Sequence, residues 1–322
     1  MRAENLRELR NISVTAAAPG TLNDVLRAEI PARLCREVSN SKIRRLIMAG
    51  AVCLDGVPCR NPSARVRAGA SVSVRVDVGK LFYEKPVNDI AFELTARDVL
   101  YEDEYIIVVN KPACFPTEAG MVASRDNLHA AVVRYLFANA RRSHPNLRNP
   151  PYAGIMHRLD HGTSGVILFT KTREVNAACH ALFEERVAQK TYRAVVSPVP
   201  RCMRCSVEMF MGRISPKSQP AKWGAVAERD GGVYARTDIS VVAQGDLGGK
   251  PIAFVECRPH TGRTHQIRVH LASLGAPILG DVLYGGQRYA RIMLHAQSLA
   301  FPHPVTHEPI SITAPLPGGF DL

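Results

Sequence analysis

No stretch of this chain approaches the roughly 18–20 consecutive apolar residues of a membrane-spanning helix, so no membrane partner is expected. Low-complexity tracts are missing as well, which excludes a fibrous or disordered polymer. The N-terminus mixes Arg2, Arg7 and Arg10 with Glu4 and Glu8 around no apolar core. It therefore lacks the pattern of a secretory signal, and its acids argue against an organellar transit peptide. The eight cysteines show no secreted disulfide framework and are expected to be reduced thiols of a cytoplasmic protein. Cys202 and Cys205 make one CxxC with no second pair, so a four-ligand zinc site is not expected. His260, His265 and His270 recur every five residues, which is neither a helical face nor a common ligand spacing. A nucleophile elbow and a paired carboxylate at fixed spacing are also missing, which counts against a hydrolase.

What is present is length, an apolar share typical of a packed protein, and positive charge. The 322 residues, 46% of them hydrophobic, allow a sizeable core and more than one domain. A net charge of +12 makes a polyanion the leading partner. Residues 1–80 carry 14 Lys+Arg against 7 Asp+Glu, a net +7, so a quarter of the chain holds more than half of the excess. Such a concentrated basic region suits phosphate contacts.

Four segments follow from the pattern: an N-terminal extension over 1–20, a compact module over 21–80, a connector over 81–98, and a large domain over 99–322. In the module, Thr21 can cap a helix with Leu22, Val25, Leu26 and Ile30 at helical spacing. A second helix has Ile43, Leu46 and Ile47 inward and displaces Lys42, Arg44 and Arg45 to its other faces. Gly50 stands where a helix C-terminal glycine is expected. An Asp55-Gly56 turn then makes a hairpin signal, and Val72, Val74 and Val76 alternate as a closing strand. In the large domain, Ile106 to Asn110 reads as a strand that Lys111-Pro112 ends. Residues 139–154 read as an exposed basic loop, 173–187 as an amphipathic helix, 190–196 as a strand, and 264–274 as a helix capped by Thr264. Residues 198–250 show strands but no chemistry.

The most informative stretch is His157-Arg158-Leu159-Asp160-His161-Gly162-Thr163-Ser164-Gly165, leading into Val166 to Phe169. It sets one carboxylate on a turn at the mouth of a buried strand, where a reactive group can be held rigidly. The glycines allow a tight approach, and Thr163 and Ser164 offer hydroxyls to tie the turn down. On these residues alone an ordinary strand start remains an equal reading. The string closely resembles the HRLD-x-x-TSG signature of the RluA-type RNA pseudouridine synthases. Further matches follow in that family's order: Lys190-Thr191-Tyr192; Arg258 to His270, continuing through Gly275, Pro277 and Gly280-Asp281; and Leu294-His295-Ala296 with Phe301 and His303-Pro304. The module around residues 44–56 resembles a small RNA-binding module named after a small-subunit ribosomal protein, with Thr21-Leu22-Asn23-Asp24 where Arg-Leu-Asp usually opens it. Cys114 stands where the family has the glycine of KP-x-G.

The resemblance implies an α+β fold: a small α+β RNA-binding module, then a catalytic domain with a mixed, mostly antiparallel central sheet. It implies an isomerase that turns uridine into pseudouridine on a flipped-out base, with no cofactor and no metal. Asp160 would be the central catalytic group. Tyr192 would stack on the base and offer its hydroxyl to proton transfer, and Arg268 would pair with Asp160. Arg158, His157, Thr163, Arg263 and Leu294 would contact substrate, as would Lys42, Arg44 and Arg45 in the module. Arg263, in a turn ahead of a helix N-terminus, suits a phosphate. The partner is expected to be RNA, ribosomal RNA or a ribosome assembly intermediate first and transfer RNA as the alternative, met by a cytoplasmic monomer. A catalytically silent RNA-binding protein of the same fold is the remaining alternative.

Overall fold

In the computed structural model, which describes residues 9–81, 89–119, 125–216 and 221–320, Thr21 and Ser39 each precede an apolar helical stripe. Each hydroxyl accepts an amide from the first turn, Asp24 N–H at 3.2 Å and Lys42 N–H at 3.4 Å. The helices are α1 (Leu22–Leu34) and α2 (Asn40–Met48), and strands β1 (Leu9–Thr15) and β2 (Gly20–Thr21) lead into them. Leu22, Leu26, Ile30, Ile43 and Ile47 are fully buried between them and the sheet, each contributing about 1.5–3 kcal/mol of burial. Arg44 and Arg45 stay exposed and Lys42 half-buried on the outer faces of α2. Asp55 and Gly56, both at positive φ, turn β3 (Val52–Leu54) into β4 (Val57–Pro58). After β5 (Arg65–Val66), β6 (Ser71–Asp77) buries Val72, Val74 and Val76, and the short α3 (Val78–Leu81) closes the first unit. Its sheet runs β1-β6-β3-β4.

Strand β1 corrects one expectation. Residues 1–20 are not all an extension, because Leu9 to Thr15 pair antiparallel with Asp77 to Ser71 and bury Ile12 and Val14. The chain divides at Val87/Asn88, inside the stretch read as a connector, of which 82–88 lie outside the described residues.

The second unit is built on an 11-stranded sheet. Its strands are β7 (Val99–Glu102), β8 (Ile106–Lys111), β9 (Gly154–Ile155), β10 (Ser164–Thr170), β11 (Gln189–Val196), β12 (Arg204–Arg213), β13 (Trp223–Ala225), β14 (Val233–Asp246), β15 (Pro251–Pro259), β16 (Leu294–Pro302) and β17 (Pro309–Thr313). The main path is β13-β12-β14-β15-β11-β16-β10-β8-β7, with β17 on β16 and β9 on β10. Helices α4 (Leu128–Ser143), α5 (Asn176–Glu184) and α6 (Gln266–Ser273) cover it. The apolar runs in β8 and β10 are continuous because both faces are covered. Ile107, Val109, Ile167 and Phe169 pack with α4, whereas Ile106, Val108, Val166 and Leu168 pack with α5 and Leu299 of β16.

Among the described residues every strand pairing in this unit is antiparallel except one. β10 and β16 run parallel where Ser164 and Gly165 meet His295 and Ala296. Gly165 has φ +116°, and a Cβ there would lie 2.1 Å from the Ala296 carbonyl oxygen, so only glycine allows this junction. The loop before β10, the start of β16 and the middle of β11 converge there.

Three boundaries differ from expectation. Helix α4 extends to Ser143, so the exposed loop begins at 144 rather than 139. Helix α5 covers 176–184 of the 173–187 expected. Thr264 does not cap α6: the cap is His265, at φ +58° with no side-chain capping bond, and the Gln266 amide oxygen accepts the Arg263 N–H instead at 3.0 Å. Among the described residues no helix is long and apolar enough to cross a membrane.

Candidate active site

Lys111 closes β8 as a charged group in an apolar strand, and it is fully buried. Its ammonium finds three carbonyls: Thr163 at 2.7 Å, Pro112 at 2.9 Å and His161 at 3.3 Å. Two of these belong to the loop that carries Asp160. Burial lowers its pKa to about 7, with the nearby Arg291 adding to the effect and Asp160 and Cys114 opposing it. From the other side the Thr117 hydroxyl donates to the Leu159 carbonyl at 2.9 Å, and the Thr163 N–H closes a turn onto the Asp160 carbonyl at 3.0 Å. The loop is thus fixed by contacts to its backbone that do not use the Asp160 carboxylate. That side chain is 28% exposed at the floor of an open cleft of about 1810 Å³. A cleft well above the usual 300–1,000 Å³ of small-molecule pockets suits a polymer better.

Arg268 reaches Asp160 as expected, its Nη1 3.1 Å from Oδ2. The two parallel bonds that a guanidinium offers go elsewhere, however, to Asp281, at 2.7 and 2.9 Å. Arg268 is buried on α6, 6% exposed, and Asp281 is 1% exposed. A buried guanidinium held by one carboxylate is thereby aimed at a second.

Tyr192 sits at an irregularity in β11, opposite Ala296 and Cys257. Burial, and then the charge of Asp160, push its phenol well above the ordinary range. The hydroxyl therefore stays protonated at neutral pH, which leaves it able to donate a hydrogen bond. Leu294, 3% exposed, opens β16 and lines the same cleft.

The expected substrate contacts divide. Arg158 is 64% exposed in the cleft and ion-paired with Glu118. Arg263 lies exposed on the rim, its Nε donating to the Tyr234 carbonyl at 3.0 Å. Thr163 is buried, and its carbonyl serves Lys111. His157 uses Nε2 to accept the Leu168 N–H at 3.1 Å and stacks on Phe183 with ring centroids 4.5 Å apart. Burial, with the charge of Lys190 second, takes its pKa down to about 3, so this neutral ring braces the loop against β10. Lys42, Arg44 and Arg45 belong to α2 in the first unit.

Four residues of the site were not singled out from sequence: Lys111, Asp281, His265 and Tyr284. Tyr284 offers its ring to the Arg268 guanidinium at 5.1 Å and its hydroxyl to His265 Nδ1 at 2.9 Å. His265 Nε2 in turn lies 3.8 Å from Asp160 Oδ2. Lysine at the end of an otherwise apolar strand, and aspartate between Gly280 and Val282, were the available signals.

Comparison with known proteins identifies the family. Residues 105–273 match the RNA pseudouridylate synthase family, and residues 34–72 match the S4 domain. The chain is 33% identical to ribosomal large subunit pseudouridine synthase D of Xanthomonas campestris, over 96% of this chain and 89% of that protein. Ribosomal large subunit pseudouridine synthase D of Neisseria meningitidis serogroup A is 32% identical over 93% of this chain and 76% of its own length. Among solved structures, human RNA pseudouridylate synthase domain containing 4 aligns with TM-score 0.54 and 27% identity, covering 70% of this chain and 90% of that one. With the fold, the family match over the cleft and relatives along nearly its whole length in accord, the chain belongs to the RNA pseudouridylate synthase family and carries an S4 domain ahead of the catalytic domain.

Proposed function

We propose that this pseudouridine synthase acts on large-subunit ribosomal RNA, as a cytoplasmic monomer, with Asp160 as its central catalytic group. The substrate rests on the two relatives described above, both of which are named for the ribosomal large subunit. The site assignment rests on one observation above all: Asp160 is the carboxylate toward which a buried, Asp281-clamped Arg268 is directed from 3.1 Å. An arginine so placed fixes the orientation of the carboxylate in the cleft.

Pseudouridine formation breaks the bond from ribose to uracil nitrogen, turns the base and rejoins it through carbon 5, which then loses a proton. The uridine has to leave its stack to reach Asp160. Asp160 labilises the glycosidic bond, as nucleophile or as base on the sugar. Tyr192 stacks on the flipped base and donates from its protonated hydroxyl, and Leu294 lines the uracil pocket. Arg158 and Arg263 hold phosphates or fill the place the base has left. Lys42, Arg44 and Arg45 of the S4 domain add affinity for the RNA backbone. Mapping pseudouridines in total RNA with and without the gene tests the substrate. Loss of sites in large-subunit ribosomal RNA is expected; loss confined to transfer RNA would overturn this assignment.

A further inference from the structure

The Asp160 carboxylate is approached unevenly. Arg268 Nη1 lies 3.1 Å from Oδ2, and His265 Nε2 faces the same oxygen from 3.8 Å. No donor among the described residues meets Oδ1 within hydrogen-bond distance. One oxygen is therefore anchored, and the other is left for substrate.

The state of the His265 ring follows from what lies behind it. The Tyr284 hydroxyl oxygen accepts the Trp223 backbone N–H at 3.0 Å, which can only donate. Its remaining partner is His265 Nδ1 at 2.9 Å. Burial raises the Tyr284 pKa, so the phenol keeps its own proton and can give it to Nδ1. A neutral imidazole that accepts at Nδ1 carries its hydrogen on Nε2, the nitrogen turned to Asp160. The ring is 17% exposed and set perpendicular to Tyr284, at 88°. His265 also stands at φ +58°, a strained backbone for a residue with a Cβ, without using its side chain to cap α6. Tyr284 thus supports both neighbours of Asp160, Arg268 with its ring face and His265 with its hydroxyl.

We propose that His265, oriented by Tyr284, is a positioning residue for the reaction: its Nε2–H joins Arg268 in holding Asp160 Oδ2, so that Oδ1 is the oxygen that reacts. This rests on the reading of Asp160 as the catalytic carboxylate. The 3.8 Å separation closes to a hydrogen bond when RNA fills the cleft, since catalytic contacts commonly tighten only in the complex.

The test has two parts. Nitrogen-15 spectra of the full chain, with His265 assigned by the signal lost in His265→Gln, should show Nε2 protonated and Nδ1 bare. A ring protonated at Nδ1 would overturn the proposal. Single-turnover tritium release at saturating RNA is then compared with filter binding for His265→Ala, His265→Gln, Tyr284→Phe and Asp160→Asn. His265→Ala should slow the chemical step by about 100-fold, the lower end of the scale for one lost oriented donor, with RNA affinity held within about threefold. The glutamine amide reaches the same oxygen, so His265→Gln should recover most of the rate, and Tyr284→Phe should fall between alanine and wild type. If Asp160→Asn is inactive while His265→Ala turns over like wild type, the proposal fails and the Asp160 assignment stands. If affinity falls in step with rate, His265 serves binding and the proposal fails likewise. Activity in Asp160→Asn would remove the reading beneath it.

Discussion

Asp281 has no contact with the cleft's open space, yet the site depends on it. Its carboxylate takes both parallel bonds of Arg268, and both side chains are buried. Removing one partner strands a buried charge, so Asp281→Ala should cost about 3–5 kcal/mol in chemical denaturation and misdirect Arg268 as well. Cys114 makes the opposite case. It sits at φ +59°, where the family resemblance places a glycine, and a Cβ in that region costs roughly 1–2 kcal/mol. Glycine is freer in the unfolded chain, which offsets part of the gain, so Cys114→Gly should raise stability by about 1 kcal/mol. A fall in denaturation midpoint would show that the thiol makes contacts worth more than the relief of the backbone. Asp160, Tyr192 and Arg268 were legible because each lies inside a contiguous motif. Asp281 and His265 lie in the same motifs, but nothing in the sequence assigns them a role. Their roles depend on how α6 packs against the 3-10 turn at 282–284, which local pattern does not report.

At the scale of elements, the parallel junction of β10 with β16 and the Lys111 strut hold the active loop. Gly165→Ala would set a methyl 2.1 Å from the Ala296 carbonyl oxygen at φ +116°, so a loss of about 3 kcal/mol or more is expected on thermal or chemical unfolding. Lys111 gives a pH signature. Its pKa falls from 10.5 when unfolded to about 7 when folded, so between those values the unfolded chain binds more protons. Its burial penalty is therefore full below about 7 and is relieved as pH rises toward 10.5. Relative to Lys111→Met, the wild type should gain stability across that window, measured by denaturant midpoints; a flat difference would mean that Lys111 stays charged when buried. The core strands and both S4 helices were readable from periodicity and caps. Strand β1 was not, because its partner β6 lies some sixty residues away and a lone alternating segment next to charged residues looks like a tail.

For the whole molecule, the proposed division is between an S4 domain that supplies affinity and a catalytic domain that supplies chemistry. Replacing Lys42, Arg44 and Arg45 together by alanine should make the salt dependence of RNA binding shallower, by about 2 in the slope of log K against log salt if all of them meet phosphates. The rate at saturating RNA should stay at the wild-type level. A lost rate with affinity intact would contradict that division. The central claim concerns one carboxylate, and one substitution reaches it most directly. Asp160→Asn is nearly isosteric and leaves the backbone bonds that fix the loop, those of Lys111, Thr117 and Thr163, in place. Tritium release from carbon 5 of labelled uridine in RNA, under single-turnover conditions with filter binding in parallel, separates chemistry from binding. Affinity should stay within about tenfold of wild type, roughly 1.4 kcal/mol, with no measurable release. Release above the background of an enzyme-free control would contradict the account and place the reacting group elsewhere.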